Sequence, residues 1–284
     1  MALILVAGTE AGAGATTVAT GLAHRIATAG HEVRVERLRD GSDDERATDD
    51  AEVFGSLEFA SSSGVPVEAT GPGDSAGHVI LEAAAGADSA ALAQELGARL
   101  VLVTPAGAET PDGAAVVIET RARDARPGVL PEDRALAAPR VAELIAASNA
   151  DVLSRSETGD AATCDYIVVG AISHDSADTY FERFDRSAVV TRNGRVDLAL
   201  AAIAARAECL ILSGGGAPSP YILDRAAASR DTTLLIAAGD TPSTVHAIEG
   251  TYGTAPFSGA SKVERVGELM QDALDDSALE ALLV

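Results

Sequence analysis

The sequence predicts an α/β protein built on parallel sheets. Short apolar runs of strand length alternate with segments of helical periodicity along most of the 284 residues, a pattern typical of parallel strands joined by crossover helices. A polar stretch at residues 148–162 carries no sustained apolar period. A chain of this length forms one large domain or two modest ones. We therefore predict two α/β domains, the second smaller than the first.

The first half contains five candidate strands and three candidate helices. The strands are residues 3–7, 33–38, 79–81, 100–104 and 115–118, and the helices are residues 17–28, 89–97 and 139–147. The last helix has proline at its start, where a missing amide costs nothing. The acidic run 40–50 is predicted to be a solvated loop because it is dominated by charge. Residues 64–77, with several glycines and prolines, are also predicted to be loop.

A second series of alternating elements follows the polar stretch, which is expected to be a linker or a domain boundary. The predicted strands are residues 166–171, 188–191, 209–213 and 233–238, and the predicted helices are residues 176–184, 197–206, 219–228, 241–250 and 262–275. These boundaries divide the chain into domains at residues 1–152 and 153–284.

Composition excludes several classes of partner. The net charge is −22, with 43 acidic residues against 21 basic ones, which disfavours unspecific binding of nucleic acid or an anionic membrane. No apolar stretch approaches the roughly 20 residues of a membrane helix, and no secretory signal is apparent, so a soluble cytoplasmic protein is expected. Lys262 is the one lysine. Acidity combined with lysine depletion favours a salt-accumulating cytoplasm over the alternative, an acidic protein from an ordinary GC-rich organism. Cys164 and Cys209 lie far apart near apolar runs and are predicted to be buried free thiols.

The turn after the first strand carries a glycine-rich pattern. Gly8, Gly12 and Gly14 precede Thr16 and Thr17, which open the first helix. In phosphate-binding turns, glycines let amides approach phosphate oxygens, a hydroxyl reaches Mg²⁺, and a preceding lysine reaches the β- and γ-phosphates. Ala15 stands where that lysine would be. The pattern favours anion binding with little phosphoryl chemistry, and a purely structural turn stays open.

Charged residues at two other strand ends complete this candidate site. Arg37, at the end of the second strand, is the best substitute for the missing lysine. Glu82, at the end of the third, is placed to hold Mg²⁺ and its water shell. The alternative, that both are ordinary solvent-exposed side chains at strand ends with no part in binding, stays open. Asp40, Asp43 and Asp44 could add metal contacts.

Several motifs resemble known families. Gly8, Thr9, Glu10, Gly14 and Thr16 match the loop of dethiobiotin-synthetase-like NTPases, from which Ala15 departs. Residues 129–139, followed by Val141, Glu143 and Leu144, resemble a segment in the amino-terminal region of long-form phosphotransacetylases, where a dethiobiotin-synthetase-like P-loop domain precedes a DRTGG domain. Motifs of the second half occur in the order that a DRTGG domain requires: residues 168–173, 188–191, 194–197, 210–215, 218–220, 239–241 and 262–264.

The resemblance implies an adenine nucleotide such as ATP, with Mg²⁺, as ligand. The residues expected to contact nucleotide or anion are Gly8, Thr9, Glu10, Gly12, Gly14, Ala15, Thr16, Thr17 and Arg37 in the first half, and Arg195, Asp197, Gly214 and Gly215 in the second. Thr16 and Glu82 are the expected metal ligands. In the second half, the alternative is that the glycines permit tight turns and Asp197 caps a helix. His174, without a paired catalytic group in sequence, is expected to be structural.

These features predict a regulatory, ligand-sensing protein that binds a nucleotide or related anion, expected to be a homodimer. Without the acyltransferase domain of phosphotransacetylases, acetyl transfer is not expected, and without the loop lysine, neither is efficient ATP hydrolysis. Two alternatives stay open: an ATP-dependent ligase related to dethiobiotin and cobyrinate-amide synthases, using Arg37 and Glu82, or a non-catalytic protein-interaction scaffold.

Overall fold

The computed structural model describes residues 1–39, 44–69, 77–86, 88–171 and 177–284. From the amino terminus, the elements are β1 (Leu3–Gly8), α1 (Ala15–Thr28), β2 (Val33–Arg37), α2 (Asp44–Gly55), β3 (His78–Ala83), α3 (Ser89–Leu96), β4 (Arg99–Pro105), β5 (Val116–Ala122) and β6 (Val129–Pro131). They continue with α4 (Arg134–Ala137), α5 (Val141–Ser148), β7 (Asp151–Ser154), β8 (Tyr166–Val169), α6 (Ala177–Phe181), β9 (Ser187–Arg192), α7 (Val196–Ala204), β10 (Cys209–Ser213), α8 (Pro220–Ser229), β11 (Thr233–Ile236), α9 (Thr241–Glu249), α10 (Ala260–Ala273) and α11 (Asp276–Leu283).

The chain forms two compact units, and the first is discontinuous. It comprises Met1–Glu132 together with Phe257–Val284, whereas the second is Asp133–Pro256. The sequence-based division places residues 257–284 in the second domain, whereas these residues belong to the first unit, where α10 packs on α1. At Gly21 of α1, an added Cβ atom would lie only 2.9 Å from side-chain atoms of Val266 and Met270. The missing side chain at Gly21 thus permits the close approach of the two helices.

The first unit contains a six-stranded sheet in the order β2-β3-β1-β4-β5-β6, and every neighbouring pair of strands is parallel. This confirms the predicted parallel architecture. Every residue of β1 is buried, as expected for a central strand covered on both faces. The chain crosses from one side of β1 to the other between β3 and β4. The turn after β1 therefore lies at the carboxyl edge where the strand order reverses, a favoured place for ligands in such sheets.

The second unit contains a five-stranded sheet in the order β7-β11-β10-β9-β8. Four strands are parallel, but β7 pairs antiparallel with β11. The prediction of a linker over residues 148–162 is therefore wrong: this stretch contains β7 and a 3₁₀ turn, Gly159–Ala161. Only alternate residues of β7 are partly buried, and four residues are too few to give a clear period of two.

Cys164 and Cys209 are buried free thiols, as predicted. Burial raises the pKa of each thiol, most strongly through the loss of water around the charged form. Both side chains pack in one apolar cluster with residues of β9, β10 and β11. Within the described ranges, no helix is both long and apolar enough to span a bilayer.

The acidic run was wrongly predicted to be entirely loop. Residues 40–43 lie outside the described residues, but α2 begins at Asp44. Ala47, Ala51 and Phe54 have at most 1% of their surface exposed, and their spacing of four and three residues forms an apolar stripe on one helix face. Alanine contributes weakly to an apolar pattern, so the surrounding charges concealed this helix in the sequence.

Candidate functional site

The turn between β1 and α1 adopts a conformation that its glycines permit. Gly12 and Gly14 have φ angles of 76° and 98°, in the region that other residues rarely enter. A Cβ atom at Gly8 would lie 3.0 Å from the carbonyl oxygen of Glu10. The amide of Thr9 donates to the carbonyl of Val103 at 2.9 Å. The turn is therefore attached to β4 and tightly closed, as the glycine pattern predicts.

The first amides of α1 are available at the end of this turn. The first hydrogen bond of the helix runs from the amide of Val18 to the carbonyl of Gly14 at 2.9 Å. The amides of Ala15, Thr16 and Thr17 come before it and therefore have no carbonyl of the helix to which they can donate. No side chain caps the helix at Gly14. Amides and helix dipole together favour an anion at this position.

A hydroxyl and two carboxylates meet beside these amides. The Oγ1 atom of Thr16 lies 3.0 Å from Oδ1 of Asp50 and 2.9 Å from Oε1 of Glu82. Thr16 belongs to α1, Asp50 to α2 and Glu82 to β3, so three elements assemble the cluster. The sequence predicted Thr16 and Glu82 as partners but not Asp50, which was assigned to a solvated loop.

Glu82 is deeply buried, and its pKa is strongly raised. Only 3% of its surface is exposed, and its Oε2 atom has no hydrogen-bond partner among the described residues. Burial, followed by the charge of Asp50, raises the pKa of Glu82 to about 8, against the opposing effects of Arg37 and Thr16. Burial also raises the pKa of Asp50, while Thr16 and Arg37 lower it.

Protonation of Glu82 explains the geometry around the hydroxyl. A threonine hydroxyl has one proton and donates it to only one acceptor, yet both carboxylates lie within 3.0 Å. The raised pKa favours the protonated form of Glu82, whose own proton then serves the second contact. In the absence of a cation, burial thus favours one shared proton over two ionised carboxylates.

Arg37 lies against the acids. It is the register partner of Glu82 in the pairing of β2 with β3. Its Nη1 atom donates to the carbonyl of Leu38 at 2.7 Å, and its Nε atom donates to Oδ2 of Asp50 at 3.4 Å. Only 3% of Arg37 is exposed. These contacts direct its charge toward Asp50, and its predicted role as a substitute for the loop lysine stays a prediction.

The cluster has the ligand chemistry of a hard divalent cation. Within the described ranges, no group of three or more His, Cys, Asp and Glu side chains is assembled for a metal. Two carboxylates and a hydroxyl nevertheless fit Mg²⁺, which usually keeps several waters and shares phosphate oxygens with its ligand. The unpartnered Oε2 atom of Glu82 is the observation that supports this fit. Asp40 and Asp43 lie outside the described residues, as does the side chain of Asp44, so their metal contacts stay predictions.

The predicted residues of the second unit form a different arrangement. The amide of Gly214 donates to the carbonyl of Gly239 at 2.7 Å, and the amide of Gly215 donates to the carbonyl of Ala237 at 2.9 Å. These amides are therefore already paired, contrary to the expectation that they are free to bind an anion. Arg195 and Asp197 pair with each other, with Nη2 2.6 Å from Oδ2. The alternative of a structural turn fits better.

Asp197 and His174 were two further residues of interest in the second unit. The hydrogen bond from Arg195 holds the pKa of the Asp197 carboxyl below its usual value. Asp197 lies in the first turn of α7, whereas the N-cap position is Arg195. His174 and the segment around it lie outside the described residues.

A cavity of about 420 Å³ lies elsewhere in the first unit. It is lined by Glu32, Val33, Arg34, Glu36, Ser61, Ser62, Ser63 and Gly77, none of which belongs to the glycine turn or the acid cluster. The buried carboxylate of Glu36 accepts from the amide of Ser63 at 2.9 Å and pairs with Arg34 at 2.7 Å. Its hydrogen bonds are satisfied by the protein itself, so the glycine turn is the stronger candidate.

Comparison with known proteins identifies one domain. Residues 143–251 match the family model of the DRTGG domain, so the chain contains a DRTGG domain within its second unit, and that part of the sequence-based resemblance is confirmed. The P-loop and phosphotransacetylase parts stay predictions.

One solved structure is similar over part of the chain. It comprises the CBS and DRTGG domains of the regulatory region of Clostridium perfringens pyrophosphatase, in complex with its activator diadenosine tetraphosphate. The identity is 18%, the match covers 43% of this chain and 52% of that one, and the TM-score is 0.36. The chain thus spans about half the length of that structure.

Proposed function

We propose that this chain is a regulatory, ligand-sensing protein whose amino-terminal turn binds the phosphate groups of a nucleotide or a related anion together with a divalent cation. The observation that carries this proposal is the buried carboxyl group of Glu82 beside Thr16 and Asp50, whose Oε2 atom has no partner within the part of the chain that the structure describes. Little or no phosphoryl transfer accompanies binding.

The acid cluster supports the cation. A buried carboxylate without a partner is costly, and in practice such a group stays protonated or is paired with a cation. Thr16, Asp50 and Glu82 would hold the cation. When bound, it would neutralise the carboxylates and share oxygens with the ligand's phosphates. Arg37 neutralises part of the charge, because it already lies against Asp50.

The start of α1 supports the anion. Its first amides precede the helical hydrogen bonds, and a side-chain cap that would compete for them is absent at Gly14. Thr16 belongs to both proposed sites. Its amide lies in the first turn of α1, where the anion would bind, and its hydroxyl contacts Asp50 and Glu82, where the cation would bind. This continuity favours a phosphate ligand that carries its own metal ion.

Ala15 supports sensing over catalysis. Phosphoryl transfer depends on fixed charges at the oxygens where negative charge develops. A methyl group supplies no charge there, so the turn retains the amides without the lysine that accelerates transfer. The DRTGG domain is then the part whose association or conformation responds to the bound ligand, and a homodimer is the assembly in which we expect that response.

The test is calorimetric titration of the full chain in molar KCl with ATP and ADP, each with and without Mg²⁺. We expect binding that strengthens with Mg²⁺ and that weakens at least tenfold, about 1.4 kcal/mol, in Glu82→Gln. Glu95→Gln, which changes an exposed acid of α3, is the matched control and should bind as the unaltered chain does. Absence of heat and of any thermal shift with every nucleotide would contradict the proposal.

A further inference from the structure

Arg121, near the end of β5, is held in an unusual conformation. Its φ angle is 57°, in the left-handed region that only glycine enters without strain. The pairing of β5 with β6 shifts its register between Thr120 and Ala122, so Arg121 is the extra residue of a β-bulge. Bulges turn a side chain out of the regular alternation of a strand and are frequent beside functional sites.

The bulge directs Arg121 onto the glycine turn. Its Nη2 atom donates to the carbonyl of Gly12 at 2.6 Å, and the Oγ1 atom of Thr120 donates to the next carbonyl, that of Ala13, at 2.7 Å. In a planar trans peptide, the carbonyl and the following amide point in opposite directions. Fixing the Ala13 carbonyl toward Thr120 therefore turns the amide of Gly14 away from Thr120.

The charge of Arg121 is not neutralised by this contact. Its hydrogen bond in the described part of the chain goes to a neutral carbonyl, whereas the nearby Arg126 pairs with Glu119. Arg121 is exposed, and a guanidinium has five N–H donors in a fork that matches phosphate oxygens. Arg37 differs from Arg121 in exposure and in pairing, since Arg37 is buried and lies against the carboxylate of Asp50.

We infer that Arg121 supplies, from β5, the positive charge that Ala15 lacks, and that it contacts a phosphate group of the ligand bound at the glycine turn. This inference rests on the proposed function of the turn. The ligand class is a diphosphate-containing anion, either a nucleoside di- or triphosphate or inorganic pyrophosphate. Binding needs only a positive charge near the phosphates, whereas transfer needs a charge fixed where negative charge develops, so Arg121 would support affinity without restoring phosphoryl transfer.

The decisive variant is Arg121→Gly, with Arg206→Gly as the matched control. Both arginines have a φ angle of 57°, so both substitutions relieve backbone strain and remove one exposed charge, but Arg206 lies at the end of α7 in the other unit. Titration with Mg²⁺ and ADP, ATP or pyrophosphate should show at least tenfold weaker binding in Arg121→Gly and unchanged binding in Arg206→Gly. The melting temperature of each ligand-free variant should equal or exceed that of the unaltered chain.

Rescue and salt dependence distinguish charge from shape. Arg121→Lys should retain part of the affinity, and Ala15→Lys added to Arg121→Gly should restore it. Arg121→Gly should also weaken the dependence of affinity on KCl concentration, because one charged contact is lost. Pyrophosphate that binds as tightly as ADP would assign recognition to the phosphates; much weaker binding would assign part of it to the nucleoside.

Two failures are separable. If the unaltered chain binds none of the three ligands, the proposed function fails. If it binds them, and Arg121→Gly binds equally well while Glu82→Gln does not, only the role of Arg121 is overturned. A lowered melting temperature in Arg121→Gly, with affinity and salt dependence unchanged, would likewise assign Arg121 to holding the turn alone.

Discussion

Two glycine turns, one in each unit, look alike in sequence and differ in their hydrogen bonds. One follows β1 and the other follows β10, and each strand is central in its sheet. Gly12 and Gly14 in the first, and Gly214 to Gly216 in the second, all have positive φ angles. The second turn pairs its amides with the segment after β11. The first leads into amides that precede the helical hydrogen bonds, beside a buried carboxyl group whose Oε2 atom has no partner among the described residues. These groups indicate a ligand.

The second turn does contain one unsatisfied atom. Nδ2 of Asn193 donates to the carbonyl of Gly215 at 2.9 Å, and its Oδ1 atom is buried and has no partner in the described ranges. A neutral amide oxygen left unpaired costs roughly 1–3 kcal/mol and has no charge for a cation to neutralise, whereas the buried carboxyl group of Glu82 acquires a charge when it ionises and then needs a cation. Asn193 therefore does not require a cation, and the contrast with Glu82 holds.

The largest expected effect is the loss of nucleotide binding in Gly14→Ala, for which Gly215→Ala is the comparison. Both residues have positive φ angles, 98° and 63°, so each substitution should destabilise its unit by about 1–2 kcal/mol. Only Gly14→Ala should also abolish nucleotide binding, because it displaces the first amides of α1. Thermal melts and calorimetric titrations of both variants measure the two effects. Equal loss of binding in both variants would show that the turns are not functionally distinct.

A sharper comparison uses Asp50→Asn and Asp49→Asn. Asp50 contacts Thr16 and Arg37, whereas Asp49 is exposed on the same helix. We expect Asp50→Asn to remove the Mg²⁺-dependent part of nucleotide affinity, by tenfold or more, and Asp49→Asn to change it less than twofold. Titrations with and without Mg²⁺ measure that part directly. A similar loss in both variants would point to the overall charge of α2.

A smaller effect concerns stability and pH in the absence of divalent cations. Because the pKa of Glu82 is raised from about 4.5 to about 8 in the folded protein, the folded state holds a proton that the unfolded chain releases in this range. Stability should therefore fall as pH rises from about 4.5 to about 8, by at most about 1.4 kcal/mol per pH unit for one proton. Asp50, whose pKa is also raised, acts in the same direction.

Glu82→Gln isolates the contribution of that residue. Melting temperatures measured across this range with EDTA should decline less steeply in Glu82→Gln than in the unaltered chain. Parallel curves for the two proteins would mean that Glu82 is ionised throughout and that the cluster holds no proton.

The smallest expected effect is that of Asp197→Asn in the second unit. The pair of Arg195 and Asp197 is exposed, and such pairs often contribute nothing measurable to stability. We expect unchanged nucleotide affinity and an unchanged melting temperature. A clear loss of affinity would place a ligand site in the DRTGG domain and remove the contrast between the two turns.

The strands and the glycine turn were predictable from the sequence for a physical reason. Strands such as β1 and β10 are buried on both faces and form unbroken apolar runs, which stand out in any sequence. The approach of Thr16 to Glu82 followed from parallel strands, whose carboxyl ends lie at one edge of the sheet. These inferences need only local pattern and sheet geometry.

Other features depend on contacts distant in sequence. Asp50 lies in the cluster because the apolar stripe of Ala47, Ala51 and Phe54 packs one face of α2 into the unit. The charged residues around that stripe concealed the helix in the sequence. The return of α10 to the first unit depends on Gly21 fitting beside Val266 and Met270. Whether the amides of Gly214 and Gly215 are paired depends on a segment more than 20 residues away. Local pattern contains none of this information.

The central claim is that Thr16, Asp50 and Glu82 hold a divalent cation beside a bound phosphate. The most direct measurement is a crystal structure of the full chain with ADP and Mn²⁺, in which anomalous scattering locates the metal. The account predicts an anomalous peak bonded to oxygens of these three residues, with phosphate density at the start of α1. Bound ADP elsewhere, or the two carboxylates still sharing the Thr16 hydroxyl with no metal between them, would contradict it.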